Sequence, residues 1–202
     1  MSAQVRAETR RRRSILTRRI PSSGNAALGA SALIQAVLGL EFTFAGLDKF
    51  ADPDFTKNFE AFVRASPGTN GGILSPLIQG LVLPHVAIAA AVLQFAELGL
   101  GLVLLVGATE IARRRFSGRL GAQHGYEAPV ALVAAAAGFA AAGLALSIFL
   151  LEGGVLPTIA PGRAFTSAIP VELLIVPFGI AIGWIELGRF LVLRQPFRQS
   201  LD

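Results

Sequence analysis

The chain has no cysteine, and its 202 residues include only one methionine, one tryptophan, one tyrosine and two histidines. The missing thiols exclude disulfides, thiolate-bound zinc, iron–sulfur ligation and covalent haem attachment through the chain itself. Any sulfur or redox chemistry must therefore use a bound small molecule or a partner subunit. His85 and His124 stand in segments expected on opposite sides of a bilayer, so they cannot share one haem. No metal-ligand cluster, phosphate loop or nucleophile triad is present, and neither a metal nor haem is expected. Charge is scarce too: 15% of residues are charged against 53% hydrophobic, and the mean hydropathy is +0.61. Soluble domains carry about 25% charged residues. The net charge of +5 does not point to nucleic acid, because the arginines stand beside apolar runs.

Those runs cover Ala26 to Leu47, Pro84 to Val106, Pro129 to Leu151 and Val171 to Leu193. Each reaches the length of about 20 residues that a helix needs to cross hydrocarbon. Lipid offers no partner to backbone N–H and C=O groups, so each run is expected to be helical. The expected fold is all-α, an integral membrane four-helix bundle over residues 26–194 in a lipid bilayer. An Arg-rich segment, residues 1–25, precedes it and a short tail, residues 195–202, follows. Arg6, Arg10 to Arg13, Arg18 and Arg19 lie before the first run, Arg113 to Arg115 and Arg119 between the second and third, and Arg194 and Arg198 after the fourth. The positive-inside rule then puts both termini and the middle loop in the cytoplasm of a bacterial cell with a multi-pass inner-membrane protein. The first run is too long for a signal-peptide core and reads as a retained helix.

The first outward loop has its own structure. Asp52 can cap a helix with Pro53 at its first position, and Phe55, Phe59, Phe62 and Val63 recur at helical spacing with Lys57, Glu60 and Arg64 off the stripe. Gly72 to Leu83 is apolar but too short to span, which suits a re-entrant or interfacial segment. Together these pieces form a lid. Small residues mark close helix contacts: Gly179 and Gly183 as a GxxxG pair, the ridge Ala134, Gly138 and Ala142, and Gly99 and Gly101 in the second span. No strong inverted repeat speaks for a transporter.

Polar groups inside the runs are few. Glu41 lies in the first and Glu97 in the second, with Gln94 three residues earlier on the same face as Glu97. Antiparallel spans can bring the two carboxylates to similar depth, facing the bundle interior, with Lys49 at its outer mouth. Either inter-helix hydrogen bonding or a ligand or proton role accounts for them. Gln35 sits deeper in the first run, and Glu186 can pair with Arg189 three residues on. His85 at the outer end of the second span can exchange a proton.

The segment Phe44-Ala45-Gly46-Leu47-Asp48-Lys49-Phe50, followed by Asp52-Pro53-Asp54-Phe55, and Gln94-Phe95-Ala96-Glu97-Leu98-Gly99-Leu100-Gly101 with Gly107, resembles the DoxX/DoxD family of small four-helix membrane proteins. The resemblance covers Ala26 to Arg115, and the last two helices by hydropathy only. The Arg-rich start and the Pro157 to Pro170 loop have no counterpart in it. It implies the membrane subunit of a quinone-linked oxidoreductase of the thiosulfate:quinone type, working with a separate subunit. On that analogy Glu41 and Glu97 are catalytic proton carriers, and Lys49, His85 and Gln94 border a quinone headgroup. The alternative is a non-catalytic accessory or scaffold subunit packed against partner proteins or copies of itself. Reporter fusions after Arg115 and after Gly162 are expected to report opposite compartments; one compartment for both rejects the four-span topology.

Overall fold

A computed structural model describes residues 23–117, 126–156 and 169–199. The Arg-rich N-terminal stretch, the loop holding His124, most of the loop before Pro170 and the last three residues lie outside the described residues. The described residues form seven helices, α1 (Ser23–Ala51), α2 (Phe55–Ala65), α3 (Pro67–Gly71), α4 (Ser75–Leu77), α5 (Val86–Ser117), α6 (Glu127–Leu151) and α7 (Val171–Gln199), with a π-helical turn at Ile78–Val82. No strand occurs among the described residues. Four helices are long and apolar enough to cross a membrane: Ala26–Ala51, Val86–Arg113, Glu127–Leu151 and Val171–Leu193. The chain is an all-α membrane four-helix bundle, with a cluster of short helices between its first two spans.

The first helix runs past the expected Leu47 to include Asp48 and Lys49. It stops at Ala51 because Asp52 precedes Pro53, whose ring disfavours helical backbone in the residue before it. Asp52 does not cap α2 as expected. Its carboxylate instead accepts the Asp54 backbone N–H at 2.9 Å and the Asn58 side-chain amide at 2.9 Å, so the helix starts later, at Phe55.

The spans associate as two close pairs, α1 with α5 and α6 with α7, set side by side. In hydrocarbon a larger side chain gains nothing by leaving lipid, so backbone proximity and van der Waals fit drive the pairing. Gly138 stands where a Cβ would come within 2.7 Å of the Gly183 nitrogen and 2.8 Å of the Gly179 oxygen, which brings the expected GxxxG pair and the α6 ridge into one contact. On the other side Gly39 meets Leu105 and Gly46 meets Leu98, seven residues on in one helix against seven back in the other. That repeat fits a shallow left-handed crossing of antiparallel helices. Where the pairs meet, Leu38, Phe42, Leu104, Ala137, Ala141 and Ile182 form the central core.

The short helices cover one end of the bundle. Val63 of α2 is buried against it, Phe55 and Phe59 stack on each other at 5.9 Å, and Phe62 is 44% exposed. The expected Phe stripe is therefore split: Val63 faces the bundle, and Phe62, one residue or about 100° around the helix, faces outward. Gly68 of α3 presses on the Leu150 and Leu151 carbonyls at the end of α6. The apolar run from Gly72 to Leu83 forms α4 and the π-helical turn and does not cross the bundle. Ser75 Oγ and Gln79 Nε2 both donate to the Thr69 carbonyl, at 2.7 and 2.8 Å, and fold this run back on α3. After α6 the chain reverses at Gly153 and Gly154, whose φ values of 109° and 63° suit residues without a Cβ. Beside this turn, burial and the nearby Glu172 charge raise the Glu152 pKa. The raised value favours the folded turn below the ordinary carboxylate range, and that contribution is lost as pH rises through it.

The α6–α7 contact generates a direct test. Gly138→Ala is expected to destabilise the bundle by about 1–3 kcal/mol, since the clash is with backbone that cannot yield. Gly99→Ala, whose Cβ meets nothing within 4 Å, is expected to be neutral. Thermal unfolding in detergent, followed by circular dichroism, checks both; equal melting of the two variants rejects the packing.

Candidate functional site

Near the lid end, α1 and α5 hold a buried ion pair. Glu97 is 4% exposed, and its Oε2 lies 2.6 Å from Lys49 Nζ. The register set by Gly46 against Leu98 places Glu97 beside the last turns of α1. Lys49 starts closer to the helix end and reaches its charge to the carboxylate along an apolar stem. Its Nζ also lies 3.3 Å from the Ala45 carbonyl oxygen, to which it donates. The last carbonyls of a helix lack intrahelical partners, and one of them is used here: Gln94 Nε2 donates to the Lys49 carbonyl at 2.8 Å. One turn of α5 thus grips both the backbone and the side chain of Lys49. Phe50 and Phe95 meet edge to face at 5.1 Å beside the pair.

The contact is close but its hydrogen bonding is incomplete, since Glu97 Oε2 takes no aligned hydrogen bond. A buried ion pair offsets its desolvation only when geometry is good and the remaining lone pairs are satisfied. The arrangement leaves acceptor capacity on a carboxylate held away from water.

Of the five residues expected at a site, Lys49, Glu97 and Gln94 come together, while Glu41 and His85 do not join them. Glu41 is exposed on the outward face of α1 and does not face the interior. It follows buried Leu38 by three residues and precedes buried Phe42 by one, and that last step turns it about 100° out of the core. Nor does it match Glu97 in depth. Gly39 meets Leu105 and Gly101 meets Thr43, so Glu41 is level with Val103, about 9 Å farther from the lid than Glu97. His85 is exposed just before α5, where its backbone N–H donates to Val82 at 3.2 Å.

A second polar cluster lies toward the opposite end. Glu186, fully buried, pairs through Oε2 with Arg189 Nη1 at 3.0 Å. Its Oε1 accepts from Ser31 Oγ at 3.2 Å and from Gln35 Nε2 at 3.0 Å, and Gln35 Nε2 also donates to Ser31 at 2.9 Å. This cluster ties α1 to α7. The sequence exposes the Glu186–Arg189 spacing and the buried Gln35; Ser31 was missed, though its position four residues before Gln35 on an apolar helix was the available signal.

Neither Lys49 nor Glu97 lines either of two surface clefts. One of about 500 Å³ lies at the short helices, lined by Arg64, Thr69, Asn70, Gln79, Leu83 and Pro84. Another of about 530 Å³ runs along the outward face of α1. Among the described residues no group of three His, Asp or Glu could hold a metal ion. Comparison of the chain with family models, curated proteins and solved structures returns no match.

The second cluster is expected to be structural. Arg189→Met strands the Glu186 carboxylate in the bundle and is expected to cost about 3–5 kcal/mol. Adding Glu186→Leu to that variant is expected to restore most of the loss in a thermal melt. A double variant as unstable as the single one rejects this assignment.

Proposed function

We propose that the chain is the membrane subunit of a quinone-linked oxidoreductase of the thiosulfate:quinone type. It would lie in the bacterial inner membrane, with both termini cytoplasmic and the short helices outside. The observation that carries this reading is the Lys49–Glu97 pair, two opposite charges in contact at the lid end of an apolar bundle. The resemblance of the segments around Lys49 and Glu97 to DoxX/DoxD proteins supports it, as does the Arg distribution for the orientation.

The donor set suits a quinone headgroup, whose carbonyl oxygens need hydrogen-bond donors inside a low-dielectric site. The Lys49 ammonium has three N–H groups, and among the described residues Glu97 Oε2 and the Ala45 carbonyl lie against it. The third is left to donate to a ligand oxygen. The Oε2 atom of Glu97 can accept from a ligand hydroxyl or hold a proton on the path to the lid. Gln94 fixes the backbone from which Lys49 projects, and Phe50 and Phe95 supply an apolar wall. A quinone bound there would supply a two-electron, two-proton acceptor, with the electrons drawn from thiosulfate through a partner subunit.

The second reading is a non-catalytic accessory subunit of a larger membrane complex. The exposed Glu41 on a lateral helix face favours it, because such a face suits a protein neighbour better than lipid.

Quinone binding and quinone reduction by the gently purified complex separate the two. Glu97→Gln keeps the shape and much of the hydrogen bonding but cannot carry the proton. It is expected to lower turnover at least tenfold, on the scale of lost general acid–base catalysis, while the protein stays folded. Unchanged binding and turnover reject the quinone site and leave the accessory reading.

A further inference from the structure

We propose that the outward face of α1 is a docking surface for a transmembrane helix of a different protein, one that brings a Lys or Arg side chain to Glu41. Glu41 stands ten residues from the Ala51 end of its span. That is about 15 Å along the helix, inside a hydrocarbon layer about 30 Å thick. It is exposed there, and its side chain makes no hydrogen bond or ion pair among the described residues. A carboxylate at that depth is costly against lipid tails and needs a cation, a donor or a polar cavity. The bundle interior supplies none of these to it, so the neighbour must.

The surroundings describe the neighbour's shape. Leu33, Val37, Phe44 and Leu47 are exposed at 67, 58, 67 and 48%. They recur three, four or seven residues apart and form one stripe along α1. Glu41 and Asp48 sit on that stripe seven residues apart, with Phe44 and Ala45 between them, and line the cleft of about 530 Å³ with Leu47 and Ala51. This is the pattern of a helix seam with a seven-residue repeat, apolar except for two acids. An apolar helix carrying a base opposite Glu41 complements it.

The described residues of a second copy of this chain do not. Copies share one orientation in the membrane, so their residues meet at matching depths. Among the described side chains, Lys49 is engaged by Glu97, Lys57 and Arg64 lie in the short helices, Arg189 is buried with Glu186, and Arg113 lies near the far end of α5. None presents a free cation at the depth of Glu41. A two-fold contact through this face would set Glu41 against Glu41.

The inference deepens the accessory reading and uses no residue of the Lys49–Glu97 pair, so it can hold or fail independently of the quinone test. A photo-crosslinking benzoylphenylalanine is placed at Phe44 or Leu47 in the full chain in its native membrane. The control position is Trp184, 74% exposed on α7. Irradiation is expected to give one polypeptide adduct from the α1 positions and none from Trp184. Mass spectrometry of the adduct is expected to map it to an apolar segment containing Lys or Arg. Adding Glu41→Leu is expected to cut the adduct at least tenfold, with the melting temperature of the purified bundle unchanged, whereas Glu41→Asp retains it. Lipid adducts alone, an adduct with the chain itself, a partner segment lacking a base, or an adduct indifferent to Glu41→Leu would each overturn the proposal.

Discussion

Where Gly138 lies between Gly179 and Gly183, the peptide groups of α6 and α7 meet with no side chain between them. The rest of the bundle depends on contacts of this kind. Lipid tails are as apolar as leucine, so large residues are not driven inward, and a helix surface joins another only where the backbones can come close. Alanine and glycine therefore fill the inner face of α6, at Ala131, Ala134, Gly138, Ala141 and Ala145, while Leu146 is turned outward and Phe139, partly exposed, lays its ring against Gly183. On α1 and α5 the same constraint fixes a register, and that register puts Lys49 within reach of Glu97. The polar chemistry is thus placed by residues that have none.

Much of this was legible in the sequence. The four spans follow from hydropathy, and the close-packing positions from Gly179, Gly183 and the Ala134–Gly138–Ala142 spacing, though not which helices they join. The turn at Gly153 and Gly154, and the amphipathic helix after Pro53, were equally readable. The Lys49–Glu97 contact was not, although both residues stood out, because it depends on how far α5 slides along α1. The direction of Glu41 was hidden for a related reason. On α1 the inward residues Leu38 and Phe42 and the outward residues Leu40 and Phe44 are equally apolar, so no periodic signal tells one face from the other. In a soluble helix water imposes that distinction; here both faces are dry.

The two polar clusters differ in what they can do. Around Glu186 both carboxylate oxygens are engaged, by Arg189 on one side and by Ser31 and Gln35 on the other. That density of partners on the carboxylate makes a fixed joint, although Gln35 Oε1 and Arg189 Nη2 find no hydrogen-bond partner among the described residues. At Glu97 one long lysine supplies the countercharge, and its side chain is 23% exposed while that of Glu97 is 5% exposed. An arrangement with spare donors and acceptors at the edge of the bundle can exchange partners, as a working site must.

Both clusters draw on α1, through Ser31 and Gln35 at one level and Lys49 at another, with Gln35 and Lys49 about 21 Å apart along the axis. A rod held at separated points can neither spin nor slide without breaking one of them, and α1 is held by the tight packing of Gly39 and Gly46 on α5 and by the bonds of Ser31 and Gln35 to Glu186. Its azimuth is therefore fixed. Glu41 cannot be swivelled out of sight by a local rotation, since a turn large enough to hide it would drive Gly39 and Gly46 off α5 and pull Gln35 from Glu186 together. Its acidic, outward orientation is a permanent display, set by interactions on the far side of the same helix.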